Sequence, residues 1–488
     1  MKWKELINAV NGERVQGTGE EPQILGLSSD SRQVQKGDLF FCISGETFDG
    51  TAFARQALRQ GAAAIVCERE QDFEFPVWQI IVPSARAAMS IASHHFYGRV
   101  SEKMKVIGIT GTNGKTTTAH MLAWLFERAG KKTGIIGTLG AKYGAERVDT
   151  GLTTPDPIAL QKILADMYAS GVEYVFMEVS AHALWYEKTC GMAFEACIFT
   201  NLTQDHLDFF PDMQAYKNAK KKLFQTPCKI AVLNGDDEAG RELATCANAE
   251  KIWSYTVNAP SQAAAGGVEE DLTGVQFTLH LNGETACVSL RMAGLHNVYN
   301  ALGAAACAVA LGLDVACVAE GLSEFRGVNG RLEHVSSFHG GEVFVDFAHT
   351  PDGLQKSLSA LKKHCKGRLF CLFGCGGNRD KSKRPMMGER VAELADFAVL
   401  TSDNPRFEDP LDILSQIEKG YRLRSTKYVV VPDREKAIAY ALDCMRGGDV
   451  LLVAGKGGEK YQEIMGIKYP FDDNAIIKKL MEEKGNLG

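Results

Sequence analysis

The stretch Lys105-Val-Ile-Gly-Ile-Thr-Gly-Thr-Asn-Gly-Lys-Thr-Thr-Thr118 carries an apolar run into a Gly-rich turn. It continues into Ala119-His-Met-Leu-Ala-Trp-Leu-Phe126, which reads as a helix. A strand, a glycine turn and a helix start in that order make a cradle for phosphate. Backbone N–H groups and the helix N-terminus face the anion, Lys115 reaches the outer phosphates, and the Thr116 hydroxyl can ligate Mg²⁺. The strict spacing G-x-x-x-x-G-K-[ST] is not met, because Ile109 stands where its first glycine belongs. The stretch reads as a nucleoside-triphosphate site of a variant kind.

Other candidate groups stand at the ends of apolar runs. Val175-Phe-Met-Glu-Val-Ser180 closes on Glu178, a carboxylate suited to Mg²⁺ directly or through water. Phe199-Thr-Asn-Leu-Thr-Gln-Asp-His-Leu-Asp208 delivers Asp205, His206 and Asp208 in the same way, although a lone His there serves equally as a cap or packing residue. Further on, polar loops follow five apolar runs: 348–352, 374–381, 402–406, 432–434 and 455–459. Gly, Asn and charge gathered at strand exits place a ligand crevice on that edge of a Rossmann-like sheet. No G-x-G-x-x-G opens a helix after the first of these strands, so dinucleotide binding has weak support.

The elements that must position these groups alternate strand and helix, which predicts an α/β protein. Its 488 residues are enough for about three domains. The boundaries expected are 1–102, 103–330 and 331–488. The first unit has strands expected at 38–43, 62–66 and 78–82, with polar loops at 28–32 and 44–50. The central unit is expected to hold a parallel sheet with strands at 106–110, 133–136, 174–179, 196–199 and 230–233. A hairpin turning at Asn282-Gly283 follows, then a small-residue helix from Asn297 to Leu311. The third unit has strands expected at 343–347, 369–373, 397–401, 428–431 and 450–454.

Composition narrows the partners. A net charge of −6 gives no footprint for nucleic acid. Thirteen scattered cysteines read as reduced thiols, and the spacing of Cys371 and Cys375 does not make a zinc site. The apolar tract from Ala301 to Leu313 is too short to span a bilayer, and the charges in Met1-Lys-Trp-Lys-Glu-Leu-Ile are unlike a secretion signal. A cytoplasmic protein, without a membrane span, is expected.

Over essentially its whole length the chain resembles the Mur ligases, the ATP-dependent amide-forming family that builds the peptidoglycan peptide. The resemblance rests on Gly111-Thr-Asn-Gly-Lys-Thr-Thr117, Glu178-Val-Ser180, Thr200-Asn-Leu-Thr-Gln-Asp-His206, His296-Asn297, Asn329-Gly-Arg331 and Asp346-Phe-Ala-His349. Asp30-Ser-Arg32, Thr153-Thr-Pro155 and above all Asp403-Asn-Pro-Arg406 are similar to the member that adds the third residue, where this tetrapeptide marks a preference for meso-diaminopimelate over L-lysine. The resemblance implies three domains that bind a UDP substrate, ATP and an amino acid in turn. It also implies a monomer that adds meso-2,6-diaminopimelate to the D-glutamate of UDP-N-acetylmuramoyl-L-alanyl-D-glutamate, through an acyl phosphate, for cell-wall synthesis.

By matching position, Gly111, Thr112, Asn113, Gly114, Lys115, Thr116, Thr117, Asn297, Arg331 and Asp346 are implied to hold ATP. Ser31, Thr153, Thr154, Ser180 and Lys188 are implied for the UDP substrate. Thr116 and Glu178 are implied for one Mg²⁺ and His206 for a second. Lys220 is implied as an N-carboxylysine beside the metal, where the residues alone read as a solvated basic helix face. Lys115, Glu178, His206 and Lys220 form the implied catalytic set. Arg379, Asp403, Asn404, Pro405, Arg406, Gly455 and Glu459 are implied for diaminopimelate. Arg406 and Arg379 suit carboxylates, Asn404 and Glu459 suit an ammonium, and Gly455 allows close backbone approach. The chain departs from the family pattern at Ala181 for Ser, Lys188 for Arg, Phe347 for Tyr and Gly458 for His. The alternatives are the L-lysine-adding relative, a folylpolyglutamate synthase-like ligase and, from another class, a P-loop regulatory ATPase.

Overall fold

Runs such as Ile230-Ala-Val-Leu233 and Leu369-Phe-Cys-Leu-Phe373 are apolar at every position, so they demand cover on both faces, which is the pattern of a parallel strand between helix layers. In the computed structural model of the chain this is what they receive. The structure describes residues 3–485 apart from 13, 18–19, 46–48 and 258. Met1 and Lys2 of the N-terminal stretch, and Glu46, Thr47 and Phe48 of the 44–50 loop, lie outside the described residues. Among the described residues, strands form sheets of five, eleven and six members and one separate two-stranded hairpin. No described helix is long and apolar enough to cross a membrane.

The large sheet has a parallel centre from Ala263–Glu270 to Thr133–Gly137 and antiparallel strands at both edges. Lys105–Thr110 lies in the middle, between Phe194–Phe199 and Tyr174–Glu178. From that strand the chain lays Thr133–Gly137 and Tyr174–Glu178 on one side, then crosses to Phe194–Phe199 on the other. This reversal of strand order opens a crevice at the carboxyl ends. The helices Lys115–Arg128 and Leu295–Ala310 pack on one face. The second is rich in Ala and Gly, so its backbone can approach closely; a Cβ on Gly303 would lie 3.3 Å from the Tyr255 ring.

The six-stranded sheet runs Glu333–Phe338, Gly341–Asp346, Val450–Ala454, Leu369–Phe373, Phe397–Leu400 and Tyr428–Val430, parallel except for its first strand. The five-stranded sheet is built around Asp38–Phe41, Ala64–Cys67 and Gln79–Ile81. The expected strands appear in all three sheets, with ends displaced by up to a few residues. Strands not expected from the sequence include Arg14–Gln16, Gly26–Ser28, Gly140–Tyr143, Glu146–Val148, Ala263–Glu270, Glu333–Phe338 and the hairpin Tyr461–Ile464/Ile467–Pro470. Ala263–Glu270 is Ala-Ala-Ala-Gly-Gly at its start and has Val268 as its one β-branched residue, a poor mark of a strand. Pairing with Val275–Leu281 across a bulge makes it one.

Candidate active site

Register brings the first group of residues together. Ile109 pairs with Glu178 on one side and Ile198 on the other, so the phosphate loop, Glu178 and Thr200 emerge on the same edge. Gly111 has φ +148° and Gly114 φ +88°; a Cβ on the first would lie 1.9 Å from Thr200 Oγ1, and on the second 2.2 Å from Asn300 Oδ1. Both positions need glycine for conformation and for space.

Neutral groups fasten the loop. Thr200 Oγ1 and Asn201 Nδ2 donate to the Asn113 carbonyl at 2.6 and 3.1 Å, and Asn201 Oδ1 accepts from the Asn113 N–H at 3.0 Å. Thr112 Oγ1 donates to the Thr203 carbonyl at 3.1 Å and accepts its N–H at 3.0 Å. The Asn113 side chain donates to Asp352 of the third unit at 2.8 Å.

Two lysines meet at this loop. Lys115 donates to the carbonyls of Gly111 and Thr112, both at 2.8 Å. Lys220 donates to the same Gly111 carbonyl at 2.9 Å and lies 4.3 Å from the Tyr216 ring centre. Burial lowers the pKa of both, and the charge of Lys115 lowers Lys220 further. The reading of residues 216–224 as a solvated basic face is corrected here. Lys217 and Lys221 do reach the surface carboxylate Glu242, but Lys220 faces inward and is 2% exposed.

Glu178 is buried, with Oε1 accepting from the Thr138 N–H at 3.0 Å and Oε2 from its hydroxyl at 3.1 Å. Thr153 Oγ1 lies 3.1 Å from that hydroxyl. Thr154 Oγ1 donates to the Glu178 carbonyl at 2.9 Å and accepts from the Ser180 N–H at 3.1 Å. Ser180 in turn caps the helix Ala181–Trp185. Lys188 pairs with Asp156 at 2.8 Å and donates to the Thr154 carbonyl at 3.4 Å. Four of the five UDP-substrate candidates are thus neighbours. Ser31 stands apart in the first unit, its buried hydroxyl donating to Gln56 at 3.1 Å.

His206, with φ +56°, stacks edge-on against His182 at 4.7 Å between ring centres. Burial pushes its imidazole down to about 3, against the pull of Asp205, so it is neutral at pH 7. Lys383 of the third unit stands 3.9 Å from Asp205.

A cavity of about 650 Å³ opens beside the loop, between the central and third units. That volume is ample for a nucleotide. Asn113, Gly114, Thr117, Asn297, Arg331 and Asp346 line it. Arg331 donates to Thr116 Oγ1 at 2.9 Å and stacks 4.3 Å from the Phe347 ring centre. Asp346 accepts from the N–H groups of Leu332 and Phe347 at 3.1 and 2.8 Å, and from the Ser357 hydroxyl. Asn297 donates to Ala293 at 2.8 Å and accepts from Asn300 at 3.1 Å. Asn234, Asp236 and Tyr299 also line the cavity and were not expected as site residues. The signal is in the sequence: Asn234-Gly-Asp-Asp237 is a polar exit from the strand Cys228–Asn234, like the loops that follow the other apolar runs.

The second constellation is in the third unit. Asn404 donates to Glu459 at 2.9 Å, and buried Lys456 donates to both Asn404 and Glu459 at 3.0 Å. Asn404 and Glu459, expected to be available to an ammonium from outside, therefore already hold one from Lys456, which sequence reasoning missed. Asp403 is buried, Lys456 lies 3.8 Å from it, and its Oδ1 makes no hydrogen bond. Gly455, with φ +112°, lies against Asp403: a Cβ there would come 2.9 Å from Oδ2. Arg406 donates to Glu463 and to the Gly377 carbonyl, each at 3.0 Å, while Arg379 is exposed.

This geometry can hold a nucleotide at one end and a charged small molecule at the other. Residues 23–97 match the Mur ligase family, catalytic domain; 109–308 match the Mur ligase middle domain; 330–457 match the Mur ligase, glutamate ligase domain. The chain is 41% identical to a UDP-N-acetylmuramoyl-L-alanyl-D-glutamate–2,6-diaminopimelate ligase of Geobacillus thermodenitrificans, over 99% of this chain and 100% of that one. It is similar to a solved structure of a ligase of that same description, at TM-score 0.70 and 28% identity, over 99% of each chain. A Mycobacterium tuberculosis folylpolyglutamate synthase shares the fold at TM-score 0.63 and 18% identity, over 76% of this chain and 92% of that one. The chain belongs to the Mur ligase family.

Proposed function

We propose that the chain is an ATP-dependent ligase that joins 2,6-diaminopimelate in amide linkage to the D-glutamate of UDP-N-acetylmuramoyl-L-alanyl-D-glutamate, a step of peptidoglycan synthesis. The observation that carries this reading is the pairing of a variant phosphate loop with the Asp403-Asn-Pro-Arg406 loop in a chain 41% identical, end to end, to a ligase of that description.

In this reading ATP occupies the cavity between the central and third units. Its phosphates lie on the N–H groups of residues 111–117, with Lys115 and Arg331 supplying charge. The γ-phosphoryl group passes to the side-chain carboxylate of D-glutamate, forming an acyl phosphate and ADP. An amino group of diaminopimelate attacks the acyl carbon, and phosphate leaves as the amide forms. Positioning and preorganised charge do most of the work in such a transfer. Thr153, Thr154, Ser180 and Lys188 border the crevice beside Glu178, where the muramoyl dipeptide would lie, and Ser31 would meet its UDP end.

The residues fit Mg²⁺. Glu178 and the Thr116 hydroxyl are hard oxygen donors next to the phosphate cradle, and Mg²⁺ is commonly held by one or two carboxylates plus substrate phosphates. His206 offers a neutral imidazole for a second ion. When bound, Mg²⁺ neutralises charge on the transferring phosphoryl group. Burial of the Lys220 amine, with Lys115 nearby, lowers its pKa and so favours the neutral form that can add CO₂. As a carbamate it would place negative charge beside the metal in place of a repelling ammonium.

Phosphate release measured with each substrate omitted in turn tests the reading. Turnover should require ATP, the UDP-muramoyl-dipeptide and meso-diaminopimelate together. ATP hydrolysis independent of the other two would instead indicate a P-loop regulatory ATPase.

A further inference from the structure

Arg406 is held more tightly than recognition of a carboxylate requires. It sits at φ +51°, and the hairpin Tyr461–Ile464/Ile467–Pro470 grips it from both sides: its N–H donates to the Glu463 carbonyl at 3.0 Å, and the Met465 N–H donates to its carbonyl at 2.8 Å. The same hairpin ties down the residues before it, with Gln462 donating to the Asp403 carbonyl at 2.7 Å and the Glu463 N–H donating to Asn404 Oδ1 at 2.9 Å. The side chain is fixed at two further points. Nε donates to Glu463 Oε2 and Nη1 to the Gly377 carbonyl, each at 3.0 Å.

A guanidinium has five N–H donors. With Nε and one donor of Nη1 engaged, one donor of Nη1 and both of Nη2 remain, and one from each of these two nitrogens can take a carboxylate through two parallel bonds. The bond at Nε decides which way these donors face, because Nε lies next to the bond about which the planar group turns. Arg406 and Glu463 are 18% and 21% exposed, so the pair is largely shielded from water.

We propose that Glu463 is a positioning residue that sets the specificity of the amino-acid site, orienting the Arg406 fork toward the distal carboxylate of the substrate. The inference rests on the proposed function, because it takes an amino acid with a second carboxylate as the ligand. Glu463 does not touch the substrate in this account; it acts through Arg406. Nothing in the Asp403–Arg406 motif points to it, since it lies 57 residues further on, in a hairpin that the sequence pattern did not reveal.

The test is steady-state kinetics of the full chain by phosphate release, varying meso-diaminopimelate and ATP separately. Glu463→Ala should raise the KM for meso-diaminopimelate about fivefold or more while kcat and the KM for ATP stay within about twofold, the pattern of lost binding rather than lost chemistry. Glu463→Gln keeps an oxygen for Nε and should restore most of that loss. In an Arg406→Ala background, Glu463→Ala should add less than about twofold, because residues acting through one contact are not additive. L-Lysine, which lacks the distal carboxylate, should show no such dependence on Glu463. An unchanged or lower KM for meso-diaminopimelate in Glu463→Ala overturns the proposal, as does an equal rise in the KM for ATP or a fully additive double variant. If the Ala variant does not fold, Glu463→Asp, one methylene shorter, replaces it with the same expected direction and the same refuting outcomes. A wild-type chain that does not use meso-diaminopimelate overturns the proposed function as well, and is distinguished because it appears before any variant is compared.

Discussion

Under the proposed function, the phosphate loop and the Asp403–Arg406 loop meet opposite problems of recognition. The first is shaped by backbone conformation and held mostly by neutral groups, Thr200, Asn201, Thr112 and Thr203, with Lys115 and Lys220 donating to its carbonyls. Its ligand carries the charge, so the frame needs only donors at fixed positions. The second is built from charged side chains that are compensated within the protein: Arg406 by Glu463, and Lys456 by Glu459 with Asp403 nearby. A ligand bearing both a carboxylate and an ammonium can be read by such a balanced set, whereas one unbalanced buried charge would be costly. Under the proposed function, the phosphate cradle is written locally, within about ten residues, with Arg331 added from the third unit, and amino-acid selection is spread across distant segments.

Substitutions that strike one region and spare the other probe this contrast. The largest effect is expected from Lys115→Ala, which should lower kcat by about 10²–10³-fold, the scale of removing one preorganised donor at a developing charge. Calorimetric binding of diaminopimelate should be unchanged; if it weakens in parallel, the two regions are not separable. Arg406→Ala should do the converse, raising the KM for diaminopimelate by about 10²-fold, as expected for losing charge-assisted bonds worth ~3 kcal/mol. The KM for ATP should hold, and an equal rise there would contradict the assignment. Gly111→Ala imposes a left-handed φ on a residue with a side chain and drives Cβ onto Thr200. A loss of about 2–3 kcal/mol by urea titration, with a raised KM for ATP, is expected from strain at such a position.

The smallest effect comes from a region with neither kind of site and serves as a reference. His94 is buried in the first unit, its Nε2 lying 2.8 Å from Ser101 Oγ, and burial pushes its pKa from the usual 6.5 down to about 4. The unfolded chain therefore takes up this proton first as pH falls. The contribution is complete above pH 6.5 and is lost as pH falls through the window down to about 4. Near pH 5 the loss is about 2 kcal/mol relative to neutral pH. His94→Gln should flatten the fall in stability between pH 7 and pH 5 by that amount without altering either KM; parallel curves for the two proteins would refute the account.

The same contrast explains what could be read from the sequence. Apolar runs ending in Gly111-Thr-Asn-Gly-Lys115, Glu178 or Asp205 announce both the strand and the site edge, because in a parallel sheet the residues that follow the strand face the crevice. Register then gathers them without further instruction. Lys220 was legible only in part: its helix shows as basic, but the inward turn of one lysine among four depends on packing against Tyr216 and the loop. Lys456 stands inside the polar loop 455–459 without any sign that it turns inward, and Glu463 left no local signal. Their partners are set by tertiary pairing, and the hairpin that carries Glu463 is exposed and short, without the apolar alternation that marks a buried strand. Asn234 and Asp236 were legible by the same rule that found Asp205, and were simply not drawn into the site.

The central claim is that the two regions act together in one ligation, and the most direct measurement is phosphate release with meso-diaminopimelate or L-lysine as the only amino acid. The account predicts turnover that needs both ATP and the UDP-muramoyl-dipeptide and is supported by meso-diaminopimelate far better than by L-lysine. Equal or faster turnover with L-lysine, or phosphate release without the dipeptide, would contradict it.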